Sequence, residues 1–391
     1  MTVSLNHLSD LVRKRVAVAA YYFVPGVVFA SWASRIPDVK QMLNLSNGQL
    51  GTVLFAIPIG QLLMMAFSGV LVSKFGSRKM ILFAEVLYAF VLFCIGSSST
   101  VFQLILSLVA FGMMANLMNI ATNTQACLVE KMYGRNIMSS FHGLWSLGGF
   151  SGGIIGAVFA NTLLPIEAHF GAVLVMSLLI IAIGFRYLVD DATAKAEEED
   201  VPKFSFKTID PILFLLGLMG FAGMFCEGTV YDWSSVYFSS VVKPDEAFIR
   251  AGYVAGMGAM TLGRFLADGF VTKYGPSRVL KVCGGLIVGG LWLAAALPYL
   301  IPATLGFLLV GFGISSSVPI CYSIAGKLGT IKASIAITIV SSISFFGFLV
   351  GPPVIGWLAE ATGLRIAISI AACLGLMIAF VAAKVSHRLS E

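Results

Sequence analysis

The stretch Gly220–Phe238, GFAGMFCEGTVYDWSSVYF, places two carboxylates, Glu227 and Asp232, in a run that is otherwise apolar, aromatic or small. With the residues before it the run reaches back to Pro211, long enough to cross about 30 Å of hydrocarbon as a helix. Backbone in lipid has to satisfy its own hydrogen bonds, and the apolar residues are continuous rather than alternating, so the span is a helix and not a barrel strand. An ionisable group at mid-bilayer costs about 2.5–3.5 kcal/mol on insertion scales and usually faces a cavity or an ion pathway. Two acids in this run therefore call for a purpose.

The whole chain repeats the pattern. Hydrophobic residues make up 58% and charged residues only 11%, with mean hydropathy +0.93, which excludes a water-soluble domain. Apolar blocks between charged breaks predict an all-α polytopic membrane protein with twelve spans: residues 16–32, 50–72, 80–96, 101–127, 137–163, 170–188, 211–238, 248–271, 279–297, 304–325, 333–358 and 366–385. Nineteen of the 25 basic residues fall on one side of this arrangement and five on the other, with Arg264 inside a span. Lys/Arg-rich loops stay cytoplasmic, so both termini are expected there. The net charge of +6 then reflects topology rather than nucleic-acid binding, with anionic lipid contact a lesser role. The first apolar run follows Arg13-Lys14-Arg15 and is full length, so it reads as a retained helix rather than a cleaved signal.

Between the sixth and seventh spans lies DDATAKAEEEDVPKFSFK, the one long charged segment, which reads as a cytoplasmic linker over 190–208 between two six-helix bundles, 1–189 and 209–391. The bundles look like copies. At a shift of about 201 residues Trp32, Ser34 and Gly51 fall on Trp233, Ser235 and Gly252. SKFGSR at Ser73 pairs with TKYGPSR at Thr272, and Gly156 with Gly356, at shifts of 199 and 200. Parallel repeats of this kind place a substrate site near the midplane in one large class of transporters.

ASWASRIPDVK at Ala30, SSFHGLWSLGG at Ser139, DWSSVYF at Asp232, GRFLAD at Gly263 and GFLVGPPVIGWLAE at Gly347 carry a resemblance to the major facilitator superfamily. Within it the chain resembles the YbjJ-type branch, distantly similar to the fucose permease. The resemblance implies a monomeric secondary transporter of a bacterial inner membrane, with helices 1, 4, 7 and 10 lining its cavity. One departure is plain: in GVLVSKFGSRK the turn keeps Gly69, Lys74, Gly76, Arg78 and Lys79 but has Ser73 where the family usually carries the Asp of a cytoplasmic latch.

Several side chains then become candidates. The repeat puts Glu227 close to the bilayer centre, where it is expected to couple a proton or bind substrate, the alternative being a structural bond to a neighbouring helix. Tyr231 is one turn further on the same face, whereas Asp232, five residues on, points about 140° away on an ideal helix and reads as an interfacial or gate anchor. Asn116, Asn119 and Asn123 recur on one face of the fourth span and offer donors and acceptors to a polar ligand, or glue to a neighbouring helix. His142 and Trp145 pair a proton relay with an aromatic platform, or pack between helices. Ser315, Ser316, Ser317 and Tyr322 add hydroxyls. Arg264 and Asp268, four apart, are expected to form an inner gate or a static pair. Lys74 and Arg78 belong to the cytoplasmic turn, and Arg35 with Asp38 and Trp32 form an outer rim.

The six cysteines, in apolar contexts without ligand spacing, read as free thiols. Four scattered histidines and the absence of metal, Walker or dinucleotide motifs argue against an enzyme, a bound metal or a cofactor. The expected function is transport of a small polar solute, sugar-like or another metabolite, by proton-coupled symport with alternating access. A proton-driven exporter and a non-transporting sensor remain the alternatives. Helix 5 lacks the proline that accompanies glycine there in drug antiporters, which favours symport.

Overall fold

The computed structural model describes residues 2–134, 137–162, 164–190, 211–328 and 333–385. Apart from Asp190 the expected linker lies outside them. Among the described residues every element is helical: α1 (Thr2–Met42), α2 (Asn47–Leu54), α3 (Ala56–Phe75), α4 (Ser77–Gly96), α5 (Val101–Tyr133), α6 (Met138–Ala160), α7 (Ile166–Phe185), α8 (Pro211–Gly228), α9 (Ser234–Tyr237), α10 (Ala251–Tyr274), α11 (Pro276–Ala296), α12 (Leu300–Lys327), α13 (Ala333–Thr362) and α14 (Leu364–Lys384). Eleven stretches of these residues are helices long and apolar enough to cross a membrane. The expected eighth span corresponds to α10, which is 24 residues long and carries Arg264 and Lys273 but is not one of the eleven.

Charged residues end fewer helices than their cost suggests, because they find partners. The first helix was expected to stop near Trp32, yet α1 continues to Met42: Arg35 donates to His169 Nδ1 at 3.3 Å and Asp38 pairs with Arg250. Asn44, at a φ of 50°, then turns the chain. A capping box starts α2, Ser46 Oγ accepting from the Gln49 amide at 3.2 Å and Gln49 Oε1 from the Ser46 amide at 2.9 Å.

The helices gather into two compact units, Met1–Arg35 with Ala56–Glu199, and Ile36–Phe55 with Asp200–Glu391. The end of α1 and all of α2 thus belong with the second unit. There the Glu360 carboxylate of α13 accepts from the Gly48 amide at 3.0 Å, Trp357 donates to Thr52 at 3.3 Å, and Gly51 and Gly356 let the two backbones touch.

The units share internal detail at the shift read from sequence. SKFG ends α3 and TKYG ends α10. In both, the glycine that precedes the next helix takes a conformation side chains rarely adopt, Gly76 at φ 83° and Gly275 at φ 77°. In the first unit a Cβ on Gly112 would sit 2.0 Å from the Ile57 carbonyl oxygen, and in the second a Cβ on Gly311 would sit 2.2 Å from that of Gly256, the same shift of 199 for both partners. Each contact brings two helices together backbone to backbone, the usual means of packing helices in lipid.

Gly112→Ala should therefore lower the melting temperature of the purified protein by several degrees, since overpacking of this kind costs about 1–3 kcal/mol. Gly69→Ala, whose new methyl would meet nothing within 4 Å, should leave the melting curve in place.

Candidate functional site

The best-defined polar cluster inside a span lies in the second unit, around Glu227. The helical run Pro211–Val242 has its middle at residues 226 and 227, so the carboxylate stands half-way along it. Tyr231, one turn on and 2% exposed, donates its hydroxyl to Glu227 Oε1 at 2.5 Å. From α10, Arg264 donates to the same oxygen at 3.1 Å. The Met260 sulfur lies 3.8 Å from the Tyr231 hydroxyl, and Tyr322 of α12 lies within electrostatic reach of Glu227. The Glu227 side chain is 10% exposed and that of Arg264 23%, so the pair is largely shielded without being sealed. A guanidinium and a phenol on one oxygen make two charge-assisted bonds, stronger than neutral ones. The arrangement can hold a negative charge in place and release it when the carboxylate takes a proton.

Sequence spacing suggested Asp268 as the partner of Arg264. The Asp268 side chain lies outside the described residues, and the partner the structure brings to Arg264 is Glu227 on another helix, a pairing that same-helix spacing cannot reveal.

Directly after Gly228 the helix changes winding. Thr229–Trp233 and Phe238–Val242 form π-helical turns, features often found at functional sites. The 140° separation of Glu227 and Asp232 expected for an ideal α-helix does not carry through such a segment. Asp232, expected as an interfacial or gate anchor, is buried, 5% exposed, and Trp233 fully so. The Trp233 indole nitrogen and the Tyr253 hydroxyl are buried without a hydrogen-bond partner among the described residues, as is the indole nitrogen of Trp32, the repeat equivalent of Trp233.

In the first unit the asparagine stripe divides. Asn123 donates to Asn119 Oδ1 at 3.0 Å and accepts from the Tyr22 hydroxyl at 2.6 Å. Tyr22 in turn stacks on Phe141 at 5.5 Å and meets the His142 ring edge-on at 5.3 Å. Thus α1, α5 and α6 share one polar strip whose hub, Tyr22, sequence reasoning missed. Its signal was present: a tyrosine half-way along the first span. Asn116 instead accepts from Ser68 of α3 at 2.7 Å, as an interhelical bond. Trp145 lies 6.3 Å from Phe29, outside that hydrogen-bonded chain.

Arg78 pairs with Asp190 at 3.5 Å and lies over the Phe185 ring at 4.7 Å, so this basic residue of the turn has a carboxylate partner from beyond α7. Lys74 lies over Phe75 at 5.4 Å. Another acid that sequence reasoning passed over is Glu85, near the middle of α4 and 1% exposed, with neither oxygen hydrogen-bonded among the described residues. The test applied to Glu227, an acid mid-way through an apolar run, would have found it. Among the described residues no group of three or more histidines, cysteines or acids could hold a metal, and the six cysteines are free.

These features define a class, a helical membrane protein with ionisable groups held inside its bundles. The family follows from comparison with known proteins. Residues 17–335 match the Major Facilitator Superfamily, and the chain belongs to that family. It is 32% identical over 376 residues, 95% of each chain, to an uncharacterized MFS-type transporter of Yersinia pestis. Its fold resembles that of a D-xylose-proton symporter, with TM-score 0.75, 14% identity and coverage of 94% of this chain and 96% of the other. The nucleoside transporter NupG is similar at TM-score 0.71 and 14% identity, over 95% and 98% of the two chains. Family membership makes the chain a multi-pass membrane transporter rather than an enzyme.

Removing one member of the Glu227–Arg264 pair strands the other. Glu227→Gln and Arg264→Gln should each destabilise the protein by about 1–3 kcal/mol. The double variant should melt closer to the wild type than the sum of the singles requires, because neither charge is left alone. Strict additivity in thermal melts would show that the two do not interact.

Proposed function

We propose that the protein is a proton-coupled symporter that moves a small polar solute across a bacterial inner membrane by alternating access, as a monomer with twelve spans and both termini cytoplasmic. The observation that carries this reading is the mid-span Glu227 carboxylate held by the Tyr231 hydroxyl and the Arg264 guanidinium. Protonation removes the charge that Arg264 balances, so binding of a hydrogen ion and rearrangement of α8 against α10 are linked. In the second unit Tyr231 and Tyr322 offer hydroxyls suited to a hydroxyl-rich solute; in the first, the Tyr22–Asn123–Asn119 strip with His142 offers hydroxyl, amide and imidazole groups. Among proteins of similar fold, a D-xylose-proton symporter and a nucleoside transporter carry solutes of this class. Asn116 and Trp145 take supporting places near the strip, and membership of the YbjJ-type branch belongs to the same reading.

The gate is assigned to polar pairs near the helix ends: the Asp38–Arg250 ion pair in the second unit, and in the first the Arg35–His169 hydrogen bond and the Arg78–Asp190 ion pair. Lys74, Asp232, Arg264 and Asp268 are assigned to the gate on the same reading. The Asp38–Arg250 pair joins the end of α1 to the start of α10, where Arg250 is 3% exposed, so a conformational change there has to break a shielded charge pair.

In proteoliposomes, an inward proton gradient should drive accumulation of pentoses, hexoses or nucleosides, and Glu227→Gln should abolish gradient-driven uptake while leaving solute exchange measurable. Accumulation driven only by the opposite gradient would identify an exporter, and binding with no flux a sensor; either result removes the symport reading. Separately, Asp38→Arg and Arg250→Asp should each reduce uptake at least tenfold, and combining them should restore most of it. A double variant as impaired as the singles would remove the pair from the gate.

A further inference from the structure

A cavity in the second unit is lined by residues other than Glu227. It is a groove of about 630 Å³ between α10 and α11 with α12 as its floor. Leu266 and Phe270 form one wall, Val282 and Leu286 the other, and Phe312 lies beneath them; among the described residues the one charged side chain that lines it is Arg278. Its walls are open to the outside of the unit: Leu266 is 44% exposed, Phe270 50% and Val282 61%. Bared apolar walls of this kind accept hydrocarbon.

Its dimensions and chemistry select one kind of lipid. Along α10 the lining runs from Gly263 to Tyr274, eleven helical steps or about 16 Å, close to the half-thickness of about 15 Å that one leaflet presents. The charged end is where α11 begins. There Arg278 sits in the first helical turn, and the preceding Gly275 gives that turn no side-chain cap. Uncapped amides and the positive end of the helix dipole favour a phosphate oxygen, as the guanidinium does. Lys273, in the last turn of α10 and over the ring of the lining residue Tyr274, and Lys281, one turn beyond Arg278 in sequence, add positive charge to this end of the two helices. A basic mouth over a long apolar trough fits an amphiphile with an anionic head and a hydrocarbon tail.

We propose that this groove is a binding site for an anionic glycerophospholipid of the surrounding bilayer, one acyl chain lying between α10 and α11 and the phosphate against Arg278 and the start of α11. Because α10 also carries Arg264, a lipid seated there braces the helix that supplies the guanidinium to Glu227. The site stands on its own geometry and does not depend on the solute or the coupling ion.

Delipidated full-length protein in detergent, titrated with phosphatidylglycerol or with phosphatidylcholine of the same acyl chains and read by native mass spectrometry, tests it. The wild type should retain one phosphatidylglycerol at roughly tenfold higher occupancy than phosphatidylcholine. Arg278→Gln should bring the anionic lipid down to the phosphatidylcholine level, and Val282→Trp, which fills the trough from a bared position, should remove both. Leu266→Trp from the opposite wall serves the same purpose if Val282→Trp does not fold. Lys384→Gln, at the end of α14, should change nothing. Equal retention of the two lipids by the wild type, or undiminished phosphatidylglycerol on Arg278→Gln and on the folded groove-filling variant, would overturn the assignment to an anionic lipid in this groove.

Discussion

Hydrocarbon offers a peptide group nothing to bond with, and from that constraint the rest of this structure follows. Each described element closes its backbone bonds on itself as helix, so the helices are free to meet only through side chains or through the absence of them. Where two backbones touch, a glycine stands: Gly112 against the Ile57 carbonyl, and Gly311 against the Gly256 carbonyl. Where a polar side chain enters, a partner on the same or another helix receives it, as with Ser68 and Asn116 or Tyr22 and Asn123. The same cost of unsatisfied polarity that selects helices also concentrates the molecule's chemistry into a few bonded clusters.

This constraint explains what could be read from sequence. Apolar length announces a span directly, so the all-helical fold and eleven of the twelve expected spans were legible, as was the repeat in the paired turns at Gly76 and Gly275. Same-helix neighbours were legible too: Tyr231, one turn beyond Glu227, does bond it. Pairings between helices were not. Arg264 has a suitable acid four residues away in Asp268, yet its described partner is Glu227, 37 positions earlier. Arg35 bonds His169 and Asp38 bonds Arg250, contacts that their spacing on a single turn does not announce. Spacing along one helix reveals which side chains share a face; it carries no information about what faces them.

Helix length was misjudged for the same reason. A charge next to an apolar run reads as the end of a span, because an unpaired charge is costly in lipid. Arg35 and Asp38 have partners, so α1 passes through both and ends only at Met42, before Asn44 turns the chain. The π-helical turns after Gly228 likewise escape detection, since no residue in TVYDW forbids an ordinary α-helix. Their effect is local and consequential: they reset the direction of Asp232 and Trp233 relative to the carboxylate one turn before.

Glu227 and Glu85 show how much the surroundings of an acid decide. Both are buried at the middle of a helix in an apolar context, and a scale of residue costs rates them alike. Glu227 faces a guanidinium and a phenol that converge on one oxygen, which stabilises its anion and makes the departure of that anion mechanically significant, because Arg264 is fixed to a different helix. Glu85 has no hydrogen-bond donor on either oxygen among the described residues, so no bond from another helix ties its charge to a second element there. On the reading proposed here, coupling needs both halves of the first arrangement: an acid that can be neutralised and a counter-charge on another element that is released when it is. Burial alone supplies only the first half, and for that reason the assignment rests on Arg264 as much as on Glu227.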